Sequence, residues 1–355
     1  MEFAVALFRK TLLAAAVAVL AASGAASSAE ISGAGASFPY PIYAKWAEAY
    51  KQKTGIAMNY QSIGSGGGIK QITAKTVDFG ATDMPLKPEQ LQKEGLAQWP
   101  MAMGGVVPVV NVPGIKPGEL KLTGEVLAGI YSGGIQKWNA PEIKQLNPDL
   151  NLPGTAIAPV YRSDGSGTTF LFTNYLSQVG PEFKQKIGAG TSVQFPTGLG
   201  GKGNEGVAAL VGRTRGAVGY VEYAYALQNK LTHAQMRNRD GNFVSPDIES
   251  FQAAGSGADW KSEPGFGVVL TNQPGAESWP ITGATFILMH KQQPNPQKAR
   301  QVVEFFDWAY RNGDKLAEEL HYVPMPRPVV GSVEEMWKNE IVGPDGKPVW
   351  TGPAS

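Results

Sequence analysis

An α/β fold is the architecture this sequence predicts, and two patterns predict it. A short extended segment followed by a Gly/Ser-rich turn and an amphipathic helix occurs three times, which is the alternation of an α/β protein with ligand sites at strand ends and helix starts. Two apolar, β-rich stretches, MGGVVPVVNVPG (103–114) and WPITGATFILMH (279–290), then read as crossings between two halves of the chain. With 355 residues and 43% hydrophobic content the chain is long enough to form two packed cores.

The first unit runs from SGAGASFPYP into IYAKWAEAYKQKTG, where Ile42, Trp46, Ala49 and Tyr50 share one face and Gly55 is placed to cap the end. The second runs from MNYQSIGSGGG into IKQITAKTVD, and the third from IAPVYRSDGSG into TTFLFTNYLSQVG. These units are not copies of one repeat. A later helix is expected over NPQKARQVVEFFDWAYRNG, with Pro296 at its start, Val302, Phe305, Phe306 and Ala309 on its buried face, and Gly313 at its end. If the chain leaves its first half at one apolar stretch and returns at the other, residues 30–106 plus 284–355 form lobe I and 107–283 form lobe II, with a cleft between them. Both stretches also fit ordinary core strands.

Residues 1–29 have the order of an export signal: Arg9 and Lys10, then the apolar run LLAAAVAVLAA, then the small residues SGAASSA. Cleavage is expected after Ala29. The apolar run falls well short of the roughly 20 residues that span a bilayer. Cleavage takes two basic residues and one acidic residue from the 31 and 30 present, leaving a formally neutral chain. That balance argues against a nucleic-acid or membrane-surface partner. With no cysteine, neither lipoprotein anchoring nor disulfide stapling is available. The expectation is a periplasmic protein that is not membrane-anchored and is a monomer.

The glycine turns carry the chemistry. Around Ser166 the order Asp164, Gly165, Ser166, Gly167, Thr168 does not satisfy G-x-S-x-G, and His233, His290 and His321 lie far along the chain in segments without glycine turns. GSGGGIK and DGSGTTF do not match the nucleotide-binding phosphate loop, nor does GAGASF match the dinucleotide fingerprint. Three histidines without cysteine give no pattern for a transition metal, and no cofactor is expected. What remains is capture of an oxyanion at helix starts, where unpaired N–H groups and a partial positive charge meet. Ser37, Ser65, Ser166 and Thr168 add hydroxyl donors, and Arg162 adds a forked cation. Any one of these hydroxyls fits a plain helix cap equally well. Arg162 and Asp164 project to one side and can pair. Asp83, closing VDFGATD before Pro85, either faces the cleft or caps the helix that follows.

Seven segments, in order, carry a resemblance: GAGASFPYPIYAKWAEAY, YQSIGSGGGIKQI, VDFGATDMPL, RSDGSGTTFLFTNYL, GLGGKGNEGVAALV, GAVGYVEYAYA and WPITGATFILMHK. Together they resemble the periplasmic phosphate-binding proteins of high-affinity phosphate ABC transporters over nearly the whole mature chain. The resemblance implies a two-lobed type II periplasmic binding protein fold, with a ligand cleft between lobes joined by two crossing strands. It implies one inorganic phosphate in that cleft, no catalysis, and delivery to the transmembrane permease subunits of an ABC transporter. Carried over by position, the ligand contacts fall on Ser37, Phe38 (through its backbone N–H), Ser65, Asp83, Arg162, Ser166, Gly167 and Thr168, with Asp164 as the partner of Arg162. Two positions depart from the family pattern. Ser37 stands where threonine is usual, which leaves its rotamer less fixed, and Gly66 stands where a second serine is usual.

Overall fold

The computed structural model describes residues 30–353, so the export signal expected over 1–29 lies outside the described residues. The strands are β1 (Glu30–Gly35), β2 (Ala57–Ser62), β3 (Phe79–Thr82), β4 (Leu96–Val110), β5 (Lys121–Leu122), β6 (Ala158–Arg162), β7 (Leu199–Gly201), β8 (Ala217–Glu222), β9 (Thr232–His233), β10 (Gln235–Arg237), β11 (Phe243–Val244), β12 (Thr282–His290) and β13 (Val323–Pro324). One sheet runs in the order β2-β1-β3-β12-β4-β8-β6-β7, with β13 and β9 added on β4, and β11-β10-β5 form a small second sheet. At the outer parts of the large sheet β1 runs parallel to β2 and β3, and β6 runs parallel to β7 and β8. At its centre the pairing of β12 with β3 and β4, and of β4 with β8, is antiparallel.

Strand β4 joins the two halves, and all of its 15 residues are buried. Leu96 to Gly105 pair with β12, whereas Val106 to Val110 pair with β8. The partner changes between Gly105 and Val106. Glycine is needed there because structure approaches the strand from the other half: a Cβ on Gly105 would lie 2.1 Å from the Phe251 ring, and one on Gly283, which faces Gly104 in the register, would lie 2.2 Å from Leu171 Cδ1. The Trp279 indole N–H donates to Val106 O at 2.9 Å and fixes the same point.

The expected helices form, with one shift. The helix Tyr40–Thr54 buries Ile42, Tyr43, Trp46 and Tyr50, leaves Ala49 half-buried, and ends at Gly55, whose φ of 76° lets its N–H reach Lys51 O. The helix Pro296–Asn312 starts at Pro296 behind an Asn295 cap and buries Val302, Phe305, Phe306 and Ala309. Phe306 meets Phe79 edge-on at 5.0 Å, tying this returning helix to β3. The second helix begins at Ser65 and runs to Thr73, four residues before the start that GSGGG suggested. Those glycines belong to its first turn because of close packing: a Cβ on Gly68 would lie 2.5 Å from Gly35 Cα and 2.8 Å from Ala81 O. Among the described residues no helix is long and apolar enough to cross a membrane.

Gly105→Ala should cost about 1–3 kcal/mol by overpacking against Phe251, to be read from the urea midpoint. An unchanged midpoint would show that the crossing point tolerates a side chain.

Candidate functional site

Every expected site residue lies at or just beyond the carboxyl end of a parallel strand, or in the first turn of the helix that follows. Ser37 and Phe38 follow β1, Ser65 follows β2 and Asp83 follows β3, while Asp164 to Thr168 follow β6, whose last residue is Arg162. All eight candidates are brought to one buried place, with Ser37, Phe38, Ser65, Asp83, Ser166 and Thr168 at most 1% exposed and Arg162 at 6%. Asp83 does not cap a helix, since the next one, Pro88–Glu94, starts from Lys87.

The two halves meet through these loops. Gly167 N–H donates to Ser65 Oγ at 3.0 Å, and Gly66 N–H donates to Gly165 O at 2.9 Å. Asn204, at the start of the helix Gly203–Arg213, donates to Ser37 Oγ from its backbone N–H at 3.0 Å and from Nδ2 at 2.9 Å. Gly66 therefore contributes backbone only, and a Cβ there would press on Gly165 Cα at 3.2 Å. The freer rotamer expected for Ser37 is not found, because the two Asn204 donors hold its hydroxyl in place.

Counting lone pairs sets the polarity of the site. A hydroxyl has two acceptor lone pairs and one hydrogen. Ser37 Oγ accepts twice from Asn204. Ser65 Oγ accepts from Gly167 N–H and, at 3.2 Å, from Asp83 N–H. Thr168 Oγ1 accepts from Asn204 Nδ2 at 3.2 Å and from Arg162 Nη1 at a long 3.5 Å. With their lone pairs occupied, all three hydroxyls can only donate. Ser166 does cap the helix Gly167–Val179, its Oγ accepting from Thr169 N–H at 3.0 Å, and its hydrogen is not used by that cap.

Arg162 is held as a fixed fork. Its Nε and Nη2 donate to the two oxygens of Asp164 at 2.8 and 2.5 Å, and Gly203 N–H donates to Asp164 at 3.1 Å. Although burial works against its charge, Arg162 and these N–H groups hold the Asp164 carboxyl below its ordinary range. Asp83 is the opposite case. Both of its oxygens are buried without a hydrogen-bond partner among the described residues. Burial pushes its pKa up to about 7, and the nearby Thr285 hydroxyl, Arg162 charge and Ser65 hydroxyl only partly offset this. The arrangement thus offers several aimed donors and one buried carboxyl whose oxygens have no partner among the described residues, which suits a tetrahedral oxyanion that still carries a proton.

Comparison with known proteins adds lineage. Residues 20–312 match the PBP superfamily domain. The chain is 56% identical over 320 residues to the phosphate-binding protein PstS of Pasteurella multocida, covering 90% of this chain and 93% of that protein. It is 55% identical to PstS of Haemophilus influenzae, covering 89% and 95%. The chain belongs to the PstS family. The phosphate-binding protein of Stenotrophomonas maltophilia shows the same fold at a TM-score of 0.69 and 22% identity, covering 92% of this chain and all of that one. The α/β architecture is thus the type II periplasmic binding fold of this family.

Three buried polar residues escaped the sequence reading: Asn204, Glu222 and Tyr322. Asn204 lies within GLGGKGNEG, where β7, a glycine turn and the start of the helix Gly203–Arg213 repeat the strand, turn and helix pattern of the other loops, so a fourth unit was there to be read. Gly167→Ala would set a Cβ 2.6 Å from Asp83 Oδ2 and Ser65 Oγ. We expect it to weaken oxyanion binding by roughly tenfold to a hundredfold in isothermal titration; unchanged affinity would show that the site tolerates a side chain there.

Proposed function

We propose that this protein holds one inorganic phosphate among Ser37, Phe38, Ser65, Asp83, Arg162, Ser166, Gly167 and Thr168, and delivers it to the transmembrane permease subunits of an ABC transporter. The observation that carries the reading is the polarity of the site: hydroxyls restricted to donating, an oriented guanidinium, and one buried carboxyl whose oxygens have no partner among the described residues. The relatives that cover most of this chain are phosphate-binding proteins. The protein is a binding protein and not an enzyme.

Selectivity follows from Asp83. Phosphate near neutral pH keeps at least one proton and can donate it to this carboxylate. Sulfate has none and would set lone pairs against lone pairs. A site built around one required hydrogen bond rejects an analogue lacking it by about 10⁴- to 10⁵-fold. Charge-assisted hydrogen bonds contribute roughly 1.5–3 kcal/mol each, so a few suffice for the roughly 8 kcal/mol of a micromolar site. A neutral overall charge is no obstacle.

The change of partner along β4 at Gly105 and Val106 supports a division into lobe I (30–106 plus 284–355) and lobe II (107–283), hinged where β4 and β12 cross. Opening there would admit the anion, and closure would bury it. Export of the mature chain as a periplasmic monomer, with cleavage after Ala29, completes the proposal.

Titration calorimetry of the mature chain should show micromolar or tighter binding of phosphate and no measurable binding of sulfate. Asp83→Asn should narrow that gap by at least about tenfold. Equal binding of both anions by the native protein would overturn the reading.

A further inference from the structure

The turn that carries Ser37 and Phe38 is held from behind by a chain of buried groups, and that chain requires a hydrogen the aromatic residue alone cannot supply. The Tyr322 hydroxyl lies 2.6 Å from Phe38 O and 2.7 Å from Glu222 Oε2. Both distances are hydrogen bonds, and each needs one hydrogen. The carbonyl of Phe38 has none to give, and a phenol has only one. Were Glu222 ionised, one of the two contacts would set lone pair against lone pair in a fully buried place. Only a hydrogen on Glu222 satisfies both. Glu222 then donates to the Tyr322 oxygen, and Tyr322 donates to Phe38 O. Oε2 retains a lone pair for Ala224 N–H, which donates to it at 3.0 Å.

We propose that Glu222 is a protonated, hydrogen-donating carboxylic acid that positions the Ser37–Phe38 turn through Tyr322, so that closing the site on its anion requires a proton held at Glu222. Glu222 ends β8 in one half of the molecule, whereas Tyr322 and Phe38 belong to the half built on β1, β3 and β13, so the bond spans the proposed hinge. The other handles on the turn come from the same region as Glu222. Tyr225 donates to Ser37 O at 2.7 Å, and Asn204, which grips the Ser37 hydroxyl, is itself fixed by Glu222 N–H donating to its Oδ1 at 2.8 Å.

The surroundings favour the neutral acid. The titratable groups facing Glu222 are Tyr322, Tyr225 and the carboxyl of Asp83, and His321 packs edge-on against the adjacent Tyr223 at 5.5 Å. No cation among the described residues pairs with it. Burial is the main cause of a pKa pushed up to about 8, and the charge of Asp83 adds to it, against the pull of Tyr322 and the Ala224 and Tyr223 N–H groups. The sign for binding follows. If the closed form holds this proton more tightly than the open form, closure takes up a proton, and binding weakens as pH rises toward about 8 and levels off above it.

The inference rests on the phosphate reading only for its second measurement. The first is infrared difference spectroscopy of the ligand-free protein in an Asp83→Asn background, which removes the other buried carboxyl. A carbonyl band of a neutral carboxylic acid should be present at pH 6.5, be lost by pH 9.5, and be absent when Glu222→Gln is added. Its absence at pH 6.5 would overturn the proposal whether or not phosphate binds. The second is phosphate affinity from pH 6 to 9.5 for the native protein, Glu222→Gln and Tyr322→Phe, each normalised to its own value at pH 6. The native profile should fall at least tenfold below both variants by pH 8.5. Three parallel profiles would overturn the coupling, whereas failure to bind phosphate alongside a clear acid band would overturn the function and leave the protonated Glu222 in place.

Discussion

The site depends on one side-chain amide. The Asn204 amide donates once to the Ser37 hydroxyl, alongside the residue's own backbone N–H, once to that of Thr168, and accepts from Glu222 N–H. An amide has one acceptor end and one donor end, so the bond from Glu222 fixes which way the group points. With its orientation fixed, two hydroxyls from opposite halves lose their acceptor capacity and become donors. An alanine here would remove the Nδ2 donor from both hydroxyls and the acceptor of Glu222 N–H, so that Ser37 and Thr168 would each regain a lone pair with which to accept. Anion selectivity in a buried pocket therefore depends on second partners that fill the lone pairs of the groups in front.

Locally supplied charge explains how an almost neutral chain can bind an anion. Arg162 is paired with Asp164, so the pair contributes direction more than net charge. The start of the helix Gly167–Val179 adds backbone donors and a partial positive charge. These groups act at contact distance, where screening by salt is weak for buried partners.

Much of this was legible in the sequence because it is local. The strand, glycine turn and helix units place Ser37, Ser65 and Ser166 at helix starts by chemistry that spans a few residues, and the pairing of Arg162 with Asp164 needs only two positions of extended chain. The start of the Ser65 helix was misplaced because glycines signal a turn when nothing is known of their neighbours. In the fold they are helical residues that let Gly68 pass Gly35 and Ala81. Asn204 and Glu222 were missed for a different reason. Their partners lie far along the chain, as with the 167 positions between Asn204 and Ser37, and no local pattern marks an asparagine that acts by filling lone pairs.

Asp83 and Glu222 show how one molecule can use two buried carboxyls oppositely. Burial raises both, and the charge of Asp83 raises Glu222 further. Two like charges in such surroundings cannot both be carried cheaply, so one group tends to take the proton. Glu222 has a contact to Tyr322 that demands a hydrogen, whereas neither oxygen of Asp83 has a hydrogen-bond partner among the described residues, with the Thr285 and Ser65 hydroxyls nearby. On the proposed reading the proton goes to Glu222, and Asp83 is the group left to accept from the ligand. The proton proposed at Glu222 also spares the region behind Asp83 a second buried negative charge, so a group behind the pocket bears on the chemistry at its front.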